Sequence, residues 1–329
     1  METIKFQKSM YISFCSLSAA ILLTACGGGG GDSGASSSTD NNDSGVPTAA
    51  ISITNENSAQ VVDASVDSMD TDEGATVFLA VNGPSANNQE NRRSFKNLVD
   101  QIMSVKQNMP SSSSVMAAMQ TDACENGGTF TYPADNETSG TLTANNCAYD
   151  GFVLNGSISF NGQEDNFGYN GSYSFRFNSF SITGLGLGDV VMNGDLNVSW
   201  QTLDNVETGS ISSASLYIKT SADTIIMSNM NISYIDGVQY SEDISFTLNS
   251  TLLKGSVQVT STQRLQYYNS YSDYPYAGEI VITGANNSKI RIIPQGDRYY
   301  SSTVSLEKDL DGDGTYEVSE VSTWDAIDL

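Results

Sequence analysis

The sequence predicts a mainly β protein: a large, curled antiparallel sheet, either an open barrel or a sandwich, with one N-terminal amphipathic helix. Three observations carry this. From Thr129 onward apolar residues alternate with Ser, Asn and Thr, as in Ser172-Tyr173-Ser174-Phe175-Arg176-Phe177, so each strand has one buried and one wet face. About a dozen such runs follow at short spacing, which suits a sheet that curls or folds on itself. Asn-Gly and Asp-Gly pairs punctuate them, at Asn155-Gly156, Asn161-Gly162, Asn170-Gly171, Asn193-Gly194 and Asp236-Gly237. Some of these mark hairpin turns, and others sit inside runs and predict bulges or bends. No helices alternate with the strands, which argues against a parallel α/β fold.

The runs include Phe152 to Phe160, Leu196 to Trp200, Ser215 to Ile218 and Ile244 to Leu248. Ahead of them, Phe95, Leu98, Val99, Ile102 and Met103 recur at helical spacing and predict a helix over about 88–107. Arg92, Arg93, Lys96 and Lys106 lie mostly off that stripe, as on a solvated face. Pro110 and the serines 111–114 end it. A short strand is expected over Ala75 to Val81. Residues 26–60 open on Gly27 to Gly31 and continue in Ser, Asp, Asn and Thr. Such a segment buries too little apolar surface to offset its ordering entropy and is expected to be a disordered tether. One folded domain is expected over 61–329, β-rich over 128–329.

The first residues carry Lys5 and Lys8, followed by an apolar stretch from Met10 to Leu23. That length suits a signal-peptide core better than a membrane span. It ends in Leu23-Thr24-Ala25-Cys26, which resembles the lipobox of bacterial lipoproteins. The resemblance implies cleavage of residues 1–25 and acylation of Cys26, including a diacylglycerol on its thiol and a fatty acyl group such as palmitate on its amine. Several acyl chains, each contributing about 0.8 kcal/mol per buried methylene, anchor a protein without a transmembrane helix. Gly27 in place of Asp after the cysteine implies, by the same resemblance, the outer membrane, with either the periplasmic or the surface face open.

The full chain has 329 residues and a formal net charge of −24. Such acidity disfavours nucleic acid and anionic lipid, whose affinity comes from Lys and Arg, and it favours solubility and divalent cations. There is no histidine, which removes His-based nucleophile activation and the usual zinc sites. No pair of carboxylates stands out for glycosidase chemistry, and no catalytic constellation is supported. Of four cysteines, Cys15 leaves with the signal and Cys26 is lipidated. Cys124 and Cys147 then form an even pair, expected as a disulfide in an oxidising compartment; a metal pair or two free thiols are the alternatives. A transmembrane barrel is disfavoured, because the strands lack clear aromatic girdles and the terminal Trp324 to Leu329 lacks a final aromatic.

Two segments are candidates for binding. Asp309-Leu310-Asp311-Gly312-Asp313-Gly314-Thr315-Tyr316-Glu317-Val318-Ser319-Glu320 matches the spacing of an EF-hand calcium loop, with Asp309, Asp311, Asp313, the Thr315 carbonyl and a bidentate Glu320 as the expected oxygen ligands. Tyr300 to Leu306 and Tyr316 to Thr323 read as strands rather than helices. The expected site is therefore a calcium loop on a β-hairpin, in which Glu320 has difficulty reaching back. The second segment holds Tyr267, Tyr268, Tyr271, Tyr274 and Tyr276, which either pack over the rim of the sheet or offer rigid, amphipathic contacts to a partner. The sequence thus predicts a lipid-anchored envelope protein without enzymatic activity, in a binding or structural role with structural Ca2+. A carrier or sensor of an apolar ligand and a surface adhesin or glycan-binding module are the alternatives. The partner, whether protein, glycan or lipid, is left open.

Overall fold

A computed structural model describes residues 45–69, 119–124, 126–132, 138–149, 152–165, 169–184, 190–220, 223–268, 274–296 and 303–327. The expected signal segment, Cys26, the strand over 75–81 and the helix over 88–107 lie outside them. The described strands are β1 (Gln120–Ala123), β2 (Thr129–Tyr132), β3 (Ser139–Tyr149), β4 (Phe152–Glu164), β5 (Asn170–Thr183), β6 (Val190–Leu203) and β7 (Val206–Lys219). They continue as β8 (Thr224–Asp236), β9 (Tyr240–Ser250), β10 (Gly255–Tyr267), β11 (Ala277–Thr283), β12 (Lys289–Pro294), β13 (Thr303–Asp309) and β14 (Val318–Thr323). All belong to one antiparallel sheet in which every strand pairs only with its neighbours in sequence. The sheet is open, with β1 and β14 at its edges. Among the described residues there is one long helix, α1 (Ser58–Met69), and a terminal turn of helix, α2 (Trp324–Ile327).

Alternation sets the two faces as expected. On β5, Tyr173, Phe175 and Phe177 point to the buried face while Ser174, Arg176 and Asn178 face solvent. The parity changes between Phe177 and Phe180, where Ser179 adopts a positive φ of 47°. This belongs to a line of irregularities crossing several strands. The register shifts at Ala144/Cys147 on β3, Asn155/Ser157 on β4, Phe177/Phe180 on β5, Gly194/Asn197 on β6 and Ser228/Asn231 on β8. Bulges bend a strand and increase its twist, so aligned bulges crease the sheet. Two Asn-Gly pairs build the crease. Asn155 Oδ1 accepts the Asn146 N–H at 2.8 Å, and Asn193 Oδ1 accepts the Ser179 N–H at 2.7 Å. Asn146 and Ser179 are both left-handed, and the side-chain amides take the N–H groups that the bulges divert from the ladder. The adjoining glycines leave room for this. A Cβ on Gly156 would lie 2.1 Å from the Ser179 carbonyl oxygen, and one on Gly194 would lie 2.2 Å from that of Ser215.

Other glycines accept aromatic rings on the inner face. Gly162 pairs with Tyr173, Gly171 with Trp200 and Gly209 with Tyr234 directly across adjacent strands. A Cβ on any of the three would run into the facing ring at 2.3–2.4 Å. Each ring covers backbone that glycine leaves bare, a cross-strand pairing that stabilises sheets. Tyr173 and Trp200 also stack, with centroids 6.0 Å apart.

Residues 45–60, expected as tether, instead lie against the sheet. Ala50 forms a parallel bridge to Ser256; the Ile51 N–H donates to the Ser256 carbonyl and the Ser256 N–H to the Ala49 carbonyl. The Ala285 N–H donates to the Ile51 carbonyl, and the Ile53 N–H to Ser288 Oγ at 2.8 Å. Ile53 is 1% exposed. The polar composition that suggested disorder is outweighed by these backbone bonds and two apolar plugs, Val46 and Ile53. Asn57 then accepts the Thr54 N–H and donates to the Ser52 carbonyl, turning the chain into α1. That helix buries Val61, Val62, Ser65 and Val66 and packs on β9 and α2. Cys124, just past β1, is joined to Cys147 of β3 by a disulfide with Cα atoms 5.3 Å apart. Closing a loop across a sequence separation of 23 contributes about 3 kcal/mol in the chain-entropy account.

Candidate metal centre

The hairpin β13–β14 ends the sheet. Its strands pair in register from Thr303↔Thr323 to Lys308↔Val318, and residues 310–317 form the connection. Asp309, the last residue of β13, has 0% exposure. Its Oδ1 accepts the Gly312 N–H at 2.8 Å and its Oδ2 the Gly314 N–H at 3.0 Å. Asp311 Oδ1 accepts the Asp313 N–H at 3.1 Å, and Asp313 Oδ1 the Thr315 N–H at 2.7 Å. Each aspartate thus folds the backbone around its own carboxylate, the turn chemistry for which Asp is suited. Gly312 and Gly314 have φ of 76° and 93°, the left-handed values the tight winding requires. The loop is also pinned from outside: Asn287 Nδ2 donates to the Gly312 carbonyl at 3.2 Å.

The result is a convergence of oxygens. One carboxylate oxygen from each of Asp309, Asp311, Asp313 and Glu317 lies within 4.8 Å of the others, a group that could hold a metal ion. Four carboxylates in that space repel one another, and all-oxygen donors suit a hard divalent cation. Asp309, Asp311 and Asp313 occupy the places the sequence indicated. Glu320 does not: it sits on β14 opposite Leu306 and forms an ion pair with Lys308 at 2.6 Å. In an EF-hand the twelfth residue returns to the ion on a helix. Here a strand runs straight away from the loop, so the last carboxylate is Glu317, at the point where the chain rejoins the hairpin. The Glu317 N–H donates to the Lys308 carbonyl at 3.0 Å, fixing that junction. Strand flanks, already legible, were the signal that favoured a ligand nearer the loop. For Thr315, the N–H bond to Asp313 is its described contact in the loop.

A cationic clamp lies beside the group. The Arg291 guanidinium sits 4.2 Å from the Tyr316 ring centroid, bonds Glu307 and lies 3.7 Å from Glu279. The Glu307 hydrogen bond holds Arg291 above its ordinary value against the effect of burial. Burial raises the Tyr316 hydroxyl, with Arg291 acting in the opposite sense. The aromatic ring thus docks the acidic loop onto β12 through a charged, partly desolvated contact.

The tyrosine segment does not form one exposed surface. Tyr267 is buried, its hydroxyl donating to Glu242 at 2.7 Å. Tyr274 stacks on the buried Trp324, centroids 5.2 Å apart and planes within 3°. The Tyr276 hydroxyl bonds Gln266 and Gln239. Tyr268 is exposed at 43%, and Tyr271 lies outside the described residues. Of the two expectations for this segment, Tyr267 and Tyr274 follow the packing one rather than that of partner contact: alternation and the rim of the sheet turn them inward.

No family model matches the chain, and the searches of curated proteins and of solved structures likewise gave no match.

Proposed function

We propose that the chain is a lipid-anchored protein of the bacterial cell envelope, held at the outer membrane by acyl groups on Cys26, in a non-enzymatic binding or structural role with a calcium ion bracing its terminal hairpin. The convergence of Asp309, Asp311, Asp313 and Glu317 on one point carries the calcium part. The lipobox carries the anchor. Calcium fits the group because it accepts many oxygen ligands in flexible geometry, whereas magnesium demands a near-ideal octahedron and keeps several waters. A loop of this exposure, three of whose four carboxylates lie at the surface, suits an affinity on the order of 10⁻⁴–10⁻³ M, as in extracellular modules. The ion would offset the carboxylate repulsion and fix β14 to β13; it would take no part in a reaction.

The test is a calcium titration of the full chain, purified in detergent from a Gram-negative host, with acyl-group labelling on the same preparation. One calcium per chain, abolished by Asp311→Asn with Asp313→Asn, together with label lost in Cys26→Ser, supports the reading. Binding that survives the double substitution sinks the metal site. Label retained in Cys26→Ser sinks the anchor.

A further inference from the structure

Between β9 and β10 the ladder is interrupted. Pairing holds from Gly255↔Ser250 to Val257↔Leu248 and resumes at Leu265↔Glu242, Gln266↔Ser241 and Tyr267↔Tyr240. Between these blocks β10 has two more residues than β9, so the strands cannot keep register. Ser261 fills the gap in part, its Oγ accepting the Ile244 N–H at 2.9 Å. Just below the gap, on the buried face, sits Glu242. It is 6% exposed. Its Oε2 accepts the Tyr240 hydroxyl and its Oε1 the Tyr267 hydroxyl, both at 2.7 Å. The two rings lie 5.4 Å apart. One carboxyl group therefore ties β9 to β10 where the resumed ladder begins.

We propose that the Tyr240–Glu242–Tyr267 cluster is a proton-operated latch on the β9–β10 joint, tightest when Glu242 is protonated and slackened when it ionises. A buried carboxylate is costly even with two donors, because the rest of its solvation is lost. The groups acting on it come from β9 and β10, and a further tyrosine backs the cluster from β8. Tyr240 and Asp243 belong to β9, and Arg264 and Tyr267 to β10. Tyr234 of β8 stacks on Tyr240 and donates to Glu207 of β7. Burial dominates and raises the Glu242 carboxyl above its ordinary 4.5; the two hydroxyls and Arg264 pull it down, and Asp243 adds to the rise. Burial likewise holds the Tyr240 hydroxyl well above its ordinary value, so it stays neutral: it donates to the ionised carboxyl and its oxygen can accept from the protonated one across the same 2.7 Å contact.

The sign follows from linkage. The folded carboxyl binds its proton more tightly than the unfolded one. Its contribution to stability is complete below the unfolded value of 4.5 and is lost as pH rises through the raised folded value. Most carboxylates anchored by hydrogen bonds behave in the opposite way, so the latch is recognisable by direction alone.

The test uses the full chain, wild type and Glu242→Gln, with thermal midpoints and amide exchange measured from about pH 5 to about pH 8. The wild type should lose midpoint relative to Glu242→Gln as pH rises. Amides of β9 and β10 should lose protection relative to those of β4 and β5 in the wild type only. Tyr267→Phe keeps the carboxyl and removes one donor, so its transition should move to higher pH. That variant also keeps the test decisive if Glu242→Gln does not fold. Parallel curves for the wild type and Glu242→Gln, or a transition that Tyr267→Phe moves to lower pH, overturn the proposal.

Discussion

The crease across β3–β6 and the loop at 309–317 solve one local problem with different side chains. Both wind the backbone through left-handed residues, and both leave N–H groups that the ladder cannot use. In the crease, neutral amide oxygens of Asn155 and Asn193 take them. In the loop, carboxylates of Asp309, Asp311 and Asp313 do so. The neutral version is complete in itself. The charged version satisfies the same N–H groups but gathers negative charge, and that surplus is what a cation can use. Asp223 shows that a carboxylate alone does not make such a site. Its Oδ1 takes the N–H groups of Thr224, Thr251 and Leu252, and its Oδ2 the Ser250 hydroxyl. One charge among several protein donors is enough; four charges around one point are not.

This contrast predicts calcium-independent effects in the crease and calcium-dependent ones in the loop. The largest effect is expected for Gly156→Ala, which forces a Cβ against the Ser179 carbonyl at a positive φ. It should cost about 3 kcal/mol in urea denaturation, equally in calcium and in chelator. A dependence on calcium would mean that the two regions are coupled. Asp309→Ala should follow, at about 2 kcal/mol in chelator for two lost hydrogen bonds at a buried position, with a further loss in calcium. Asp311→Asn with Asp313→Asn keeps much of the hydrogen bonding and removes charge. It should lower the thermal midpoint in calcium and leave it nearly unchanged in chelator; an equal loss in both would show the loop to be only a turn. Asn155→Ala should cost about 1 kcal/mol irrespective of calcium. The smallest effect separates the two glutamates: Glu317→Gln should weaken calcium binding in a titration, while Glu320→Gln should leave affinity unchanged and cost at most about 1 kcal/mol, because Glu320 is exposed although its partner Lys308 is buried.

The strands were legible because period-two alternation is imposed by a face that must be buried; that some Asn-Gly pairs would bend strands rather than turn them was legible too, but which ones, Asn155-Gly156 and Asn193-Gly194, was not. Helix α1 was not. Val61, Val62 and Val66 do face one side, but β-branched residues among Ser and Asp carry little helical propensity, and packing on β9 decides the outcome. The segment 45–57 was read as tether because its partners, Ser256 and Ser288, are distant in sequence and carry no local signal. At the loop, three aspartates followed from spacing alone. The fourth carboxylate depended on whether strand or helix follows, so Glu317 replaced Glu320. The place of Tyr267 was left open for a related reason: a count of tyrosines does not say which of them fall on the inner parity of β10.

Strict neighbour-to-neighbour pairing also gives the chain an order of assembly. Each hairpin closes a short loop, so the sheet can grow strand by strand with little entropy to overcome at any step. The N-terminal stitch is different. Ile53 meets Ser288 across a separation of 235 residues, a contact that has no binding surface until β10 and the turn after β11 exist. Among the described residues the segment synthesised first is thus the one that docks last, and a chain cut short before Ser256 would have a growing sheet but nothing on which residues 49–53 could settle.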